Sequence, residues 1–267
     1  MSDEEEKIPF TSHLEELRKR LITCFIAIGI GFVLAYSVKE WLFHLLTAPL
    51  ISILQPGEKL IFTSLPEAFF VYLKVAFLSG TLLAIPVILY QFWMFIAPGL
   101  YREERRHLAP IMVLSIFFFI GGGLFGYYVV FPIGFQFFLS FATESIRPLL
   151  TMREFLSFAS LFLLVFGLIF ELPLVLVFLV KLGIISIDFL TKNRKYAILV
   201  IFIIAAILTP PDVVSQVLMA IPMMALYEIG ILGARIFVRK KPREDSSEET
   251  SVDTPVDTPV DTPEETP

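Results

Sequence analysis

FLSFASLFLLVFGLIFELPLVLVFLV, residues 155–180, decides the architecture. Glu171 is its only charged residue. A helix that crosses a bilayer needs about 20 predominantly apolar residues. A helix also bonds its own backbone groups, as the hydrocarbon interior demands. The run therefore predicts a transmembrane helix with one acid well inside it. Pro173, two residues on, removes an amide donor and frees a carbonyl about one turn earlier, so a kink is predicted beside the acid.

Working outward, comparable apolar runs cover residues 21–38, 68–96 and 108–131. Two weaker ones follow. Residues 196–208 are short for a span, and residues 213–234 contain Pro222 and Glu228. Thr209-Pro210-Pro211-Asp212 between them reads as a tight turn, because proline fixes φ and restricts the residue before it. The reading is six transmembrane helices with a short fifth and sixth. A re-entrant pair in place of the last two stays open; it leaves the carboxyl terminus on the same side.

Composition agrees. The 267-residue chain is 56% hydrophobic and 18% charged, with 28 Phe. Soluble domains carry about 25% charged residues. The net charge of -5 misleads: nine of the 26 acidic residues fall in 244–267, where no basic residue occurs. The rest of the chain carries 21 basic against 17 acidic residues. Lys and Arg enrich cytoplasmic segments. On the six-helix reading, sixteen basic residues fall on one side, including Arg18–Arg20, Arg102, Arg105, Arg106 and Arg239–Arg243, against five on the other. Both termini are expected in the cytoplasm where the membrane is a bacterial plasma membrane or its topological equivalent. The acidic start MSDEEEKIPF does not resemble a cleavable signal peptide.

Three parts are expected: an amphipathic amino-terminal region, 1–20; a transmembrane domain, 21–238; and a tail, 239–267, basic and then acidic. The tail repeats Val-Asp-Thr-Pro from Val252 to Pro263 and cannot bury enough apolar surface to order itself. On the far side, residues 39–67 begin with a stretch that suits a short interfacial helix. Residues 132–154 are expected to be partly helical.

Polar groups narrow the function. Ser12 and Glu15 fit a capping box. Glu15/Lys19 and Glu16/Arg20 are helical i,i+4 pairs in the favourable order. The loop Ala97-Pro98-Gly99-Leu100-Tyr101-Arg102-Glu103-Glu104-Arg105-Arg106 is dense in both charge signs. Its adjacent carboxylates suit the forked donors of an arginine ligand, or they pair internally with the loop's own arginines. Glu171 must face a polar cavity, find a partner or be protonated, because a charge inside a membrane is costly. Gln91, Gln216 and Glu228 are further polar groups in or near spans. Gly121-Gly122-Gly123 and Gly126 permit close helix contact.

Other classes lack their signatures. The sequence has no glycine-rich phosphate loop, no HExxH, and no nucleophile with an orienting base. Its three His are dispersed, its single Cys24 lies in an apolar run, and no basic patch is large enough for nucleic acid. No cofactor is expected. Three classes remain: a transporter or channel with Glu171 in its path, a membrane enzyme, for which the clustered catalytic groups it needs are sparse, and a receptor or assembly scaffold.

The order of several short motifs now points to a family. His13-Leu14-Glu15-Glu16-Leu17-Arg18-Lys19-Arg20, Ala48-Pro49-Leu50, Phe92–Tyr101, Glu104-Arg105-Arg106, Phe131-Pro132, Phe170-Glu171-Leu172-Pro173, Leu208–Asp212, Ile221-Pro222 and Tyr227–Gly230 follow one another from about Phe10 to Val238. Together they resemble the TatC family, the multispanning receptor subunit of the twin-arginine protein translocase. The resemblance implies a concave six-helix scaffold that binds twin-arginine signal peptides of folded cargo. It implies TatB-like and TatA-like single-span partners and export driven by the proton-motive force. Self-association is compatible with it. Glu104, Glu103, Glu16, Arg18 and Phe95 match signal-binding positions. Glu171, Pro49 and Gln216 match positions of partner contact or assembly. The acidic tail departs from the family's usual short basic end. The alternative is a secondary transporter of a small solute through Glu171. It predicts an inverted repeat, and none is evident.

Overall fold

Runs of apolar residues longer than a bilayer is thick fold here as long helices, each closing its own backbone bonds. The computed structural model describes residues 10–54, 60–96, 108–141, 149–209 and 212–237. Its helices are α1 (Phe10–Ser37), α2 (Lys39–Ile51), α3 (Glu67–Ile96), α4 (Leu108–Phe125), α5 (Phe131–Leu139), α6 (Met152–Phe170), α7 (Leu172–Lys181), α8 (Ile187–Lys192), α9 (Arg194–Leu208) and α10 (Val213–Phe237). A π-helical turn, Gly126–Val130, fuses α4 and α5 into one rod. Among the described residues the β-pairing is a single parallel bridge between Ile61 and Thr151.

Five stretches are long and apolar enough to cross a membrane: Ser12–Ser37, Glu67–Ile96, Ala109–Leu139, Met152–Lys181 and Val213–Phe237. The predicted fifth span is α9, an apolar helix of 15 residues. At 1.5 Å per residue it reaches about 22 Å, short of the roughly 30 Å hydrocarbon core. The fold is thus all-α and polytopic, with five long apolar helices among the described residues.

Two elements differ in extent from the sequence reading. The amphipathic start is continuous with the first span: α1 runs unbroken from Phe10, so Ser12 lies within the helix rather than ahead of it. The expected i,i+4 pairs do form, Lys19 to Glu15 at 2.8 Å and Arg20 to Glu16. They favour continuing the helix through the polar segment. The predicted interfacial helix is α2, yet Phe43, Leu46, Thr47 and Leu50 are buried against α3 and α5. It is part of the packed body.

Close contacts fix the helix positions. α1 lies along α3, and the two backbones touch where Gly31 meets Gly80. A Cβ at either would collide with the other helix's main chain. Of the glycines marked in the sequence, Gly122 packs on the Phe166 carbonyl and Gly126 on the Phe166 ring, joining α4 to α6. Between α5 and α6 lies an aromatic stack of Phe131, Phe135, Phe155, Phe158, Phe162 and Phe166; the Phe158 and Phe162 rings are 4.1 Å apart. The Phe-rich composition therefore fills the core as well as facing lipid.

The helix is interrupted beside Pro173, where the kink is predicted. α6 ends at Phe170, α7 begins at Leu172, and Glu171 is the joint, with φ -70° and ψ -19°. At the other predicted proline turn, Thr209 leaves α9 in extended conformation, as a residue before proline must. Asp212 then caps α10 by accepting the Ser215 N–H at 2.7 Å.

Candidate functional site

Polar side chains gather in three places. The first is where the amino-terminal part of α1 meets the carboxyl end of α3. Glu16 accepts from Arg20 Nε at 2.9 Å, and Arg20 Nη1 reaches across to Gln91 Oε1 at 3.0 Å. The His13 ring stacks on Phe95, centroids 4.4 Å apart at 19°, and its Nδ1 lies 3.9 Å from Glu16 Oε2. The helical periods of α1 and α3 cause this: positions 13, 16 and 20 share one face of α1, and 91 and 95 share one face of α3. The pairing joins the predicted residues Glu16 and Phe95. Arg18 is exposed on the same helix and makes no ion pair among the described residues. The chain leaves α3 one residue after Phe95. Glu103 and Glu104, in the loop that follows, lie outside the described residues.

The second place is inside the bundle. Glu171 is 5% exposed. Its Oε2 accepts the Ser115 hydroxyl at 2.5 Å, and Ser115 Oγ accepts the Trp93 indole N–H at 3.1 Å. Three elements contribute, α3, α4 and the α6–α7 joint. The contact at Gly122 brings α4 close enough for the bond. Trp93 is fixed in turn by Phe178, whose ring meets it edge-on at 4.9 Å. Glu171 Oε1 is buried with no hydrogen-bond partner among the described residues. Glu171 thus has a local partner from within the chain, and one carboxyl oxygen is left over.

The third place is the opposite end of the bundle. Glu67 opens α3 and is buried. It accepts from the Thr63 N–H at 2.6 Å, the Thr63 hydroxyl at 2.9 Å, the Ser64 N–H at 3.3 Å and the Arg153 N–H at 3.2 Å. It ties the loop before α3 to the first turn of α6. The Ile61 bridge to Thr151 runs alongside, with Met152 N–H bonded to the Ile61 carbonyl at 2.9 Å.

The other expected positions do not join these groups. Pro49 is a half-buried residue of α2, and its carbonyl accepts the Ser52 hydroxyl at 2.8 Å. Gln216 donates to the Phe202 carbonyl at 3.0 Å and staples α10 to α9. Glu228 pairs with Arg194 at 2.9 Å in an exposed bridge between the same two helices. Sequence reasoning did not single out Glu67, Ser115 or Trp93 as a site residue. An acid following proline at the start of an apolar run is a signal for the first, since carboxylates suit helix amino termini. Nothing local marks Ser115.

Fold and polar groups define a class: a multi-pass α-helical membrane scaffold, with polar residues joining helices inside and a mixed-charge surface at one end. Residues 12–222 match the family model described as "TatC: Sec-independent protein translocase protein (TatC)". The chain belongs to the TatC family. It is 60% identical over 245 residues to the Sec-independent protein translocase protein TatC of Desulforapulum autotrophicum, covering 92% of this chain and 91% of that one. It is 42% identical over 236 residues to the protein of that name from Escherichia coli K12, covering 88% and 92%. The crystal structure of a twin arginine translocase receptor, TatC, superposes with a TM-score of 0.76 at 41% identity. That match covers 85% of this chain and 100% of the receptor's. This is a multi-pass protein of a bacterial inner membrane.

Proposed function

We propose that this chain is the receptor and core scaffold of a twin-arginine translocase. It binds twin-arginine signal peptides of folded proteins and assembles single-span TatB-like and TatA-like partners for export driven by the proton-motive force. It has six crossings, α9 and α10 forming the short final hairpin of a concave scaffold, and both termini face the cytoplasm. The excess of Lys and Arg at one end of the bundle supports that orientation. Family membership leaves the solute-transporter alternative without support.

The observation that carries the recognition reading is the cluster of Glu16, Arg20, Gln91, His13 and Phe95 at the root of the 97–107 loop. Glu104 and Glu103 of that loop receive the two guanidinium groups, with Glu16 and Phe95 forming the adjoining wall and Arg18 flanking it. Glu16 is already held by Arg20, so the reading assigns the arginine ligand to the loop acids. Glu171, Pro49 and Gln216 serve partner contact and assembly.

A hydrogen bond to a charged group contributes roughly 1.5–3 kcal/mol. Glu104→Ala should therefore weaken a twin-arginine peptide about 10- to 150-fold in a binding titration. A Lys-Lys peptide should bind the unaltered chain more weakly than its Arg-Arg parent, because lysine lacks the fork. Unchanged affinity in Glu104→Ala removes Glu104 from the site.

A further inference from the structure

Below the Glu67 clamp the bundle holds a cavity of about 710 Å³ between α1, α3 and the start of α6. Phe32, Phe70 and Phe77 wall it, and Lys74 and Arg153 stand in its lining. Lys74 follows Glu67 by two helical turns, inside a stretch apolar enough to cross the membrane. An ammonium at that depth calls for an anionic partner. Among the described residues it has only a neutral one, the Ser157 hydroxyl at 2.8 Å. The Arg153 side chain has no ion pair among the described residues. Glu67 shares the cavity wall but does not meet this need: it is buried and its two oxygens accept four hydrogen bonds. The site is thus an apolar slot with two exposed cations and an already committed acid.

We propose that this cavity holds one anionic glycerophospholipid, its phosphate between Lys74 and Arg153 and one acyl chain along Phe32, Phe70 and Phe77. The lipid comes from the leaflet level with the amino-terminal end of α3. Charge selects the headgroup: a long cationic side chain extends its ammonium toward the interface, where lipid phosphates lie. Phe70 and Phe77 are 61% and 57% exposed, so the slot opens sideways to the bilayer and a chain can enter without unfolding a helix.

The test uses the full chain in phosphatidylethanolamine vesicles. These contain a trace of phosphatidylglycerol with a photoactivatable diazirine on one acyl chain, or phosphatidylcholine bearing the same chain. Labelled peptides are mapped by mass spectrometry. Phosphatidylglycerol should label the α1 and α3 peptides carrying Phe32, Phe70 and Phe77 roughly tenfold more than phosphatidylcholine does. The excess should vanish in Lys74→Gln/Arg153→Gln and persist in Lys39→Gln, which removes a cation outside the cavity. Equal labelling by the two lipids in the unaltered chain overturns the proposal without needing any variant to fold. So does a folded double variant that keeps the excess. Label from neither lipid on these peptides would leave the slot to a protein segment or to no ligand, and would also overturn it.

Discussion

Ser115→Ala is the sharpest test of the buried chain. The hydroxyl joins Trp93 at 3.1 Å to Glu171 at 2.5 Å, and all three side chains are 5% exposed or less. Removing it breaks two interhelical bonds and puts no water in their place. Hydrogen bonds between membrane helices average about 0.6 kcal/mol and reach about 1.7. Two of them set a loss of about 1–3 kcal/mol, the upper end applying because a buried indole N–H and a carboxyl oxygen lose their partner together. Unfolding in mixed micelles measures the loss. Trp93 gives a local readout. The chain has 2 Trp. Trp41 is 64% exposed and can be replaced, so Trp41→Phe leaves Trp93 as sole emitter. Its emission should move to shorter wavelength in Ser115→Ala, because the indole loses an acceptor. Glu171→Gln keeps a carbonyl for the Ser115 hydroxyl and should cost less than Glu171→Leu. In a double-mutant cycle, Ser115→Ala and Glu171→Leu should couple by about 1 kcal/mol. Additivity within about 0.5 kcal/mol, with unchanged emission, would refute the chain as an energetic unit.

Gly80→Ala should destabilise by about 1–3 kcal/mol in the same assay, since the new methyl meets α1 backbone at Gly31 and Phe32. Gly29→Ala, with open space at its Cβ, should be neutral or slightly stabilising and serves as the control. Glu67→Ala removes the acceptor of four hydrogen bonds and should release the loop before α3, seen as faster protease cleavage between residues 52 and 66 at unchanged helix content. Deleting residues 244–267 removes nine acids and should leave affinity for a twin-arginine peptide unchanged within twofold at physiological salt.

The spans were legible because membrane insertion is written in composition: a helix facing lipid needs only a long apolar run. Glu171 was legible for the converse reason, as the lone charge in such a run, and the interruption of the helix beside it followed from Pro173. Ser115 was not. A serine in an apolar helix is unremarkable until the neighbouring helix is known, and its role depends on Gly122 setting the α4–α6 distance. Glu67 stood at the edge of a span, where an acid is cheap, and its value arises from Arg153, 86 residues away in sequence. The extent of α1 was misjudged at Ser12, where a good capping sequence sits inside a helix whose ion pairs favour continuation. Where α1 meets the carboxyl end of α3, the sequence named Glu16 and Phe95 separately. Their adjacency needed α1 to lie along α3.

That adjacency has a mechanical side. Gly31 and Gly80 meet backbone to backbone, with no side chain between them to yield. Such a contact is a fixed spacing. Glu16 lies about 22 Å along α1 from it, and Glu67 about 20 Å along α3 in the other direction. The polar cluster at Glu16 and the clamp at Glu67 therefore stand at opposite ends of one helix pair whose spacing has no side chain to adjust it.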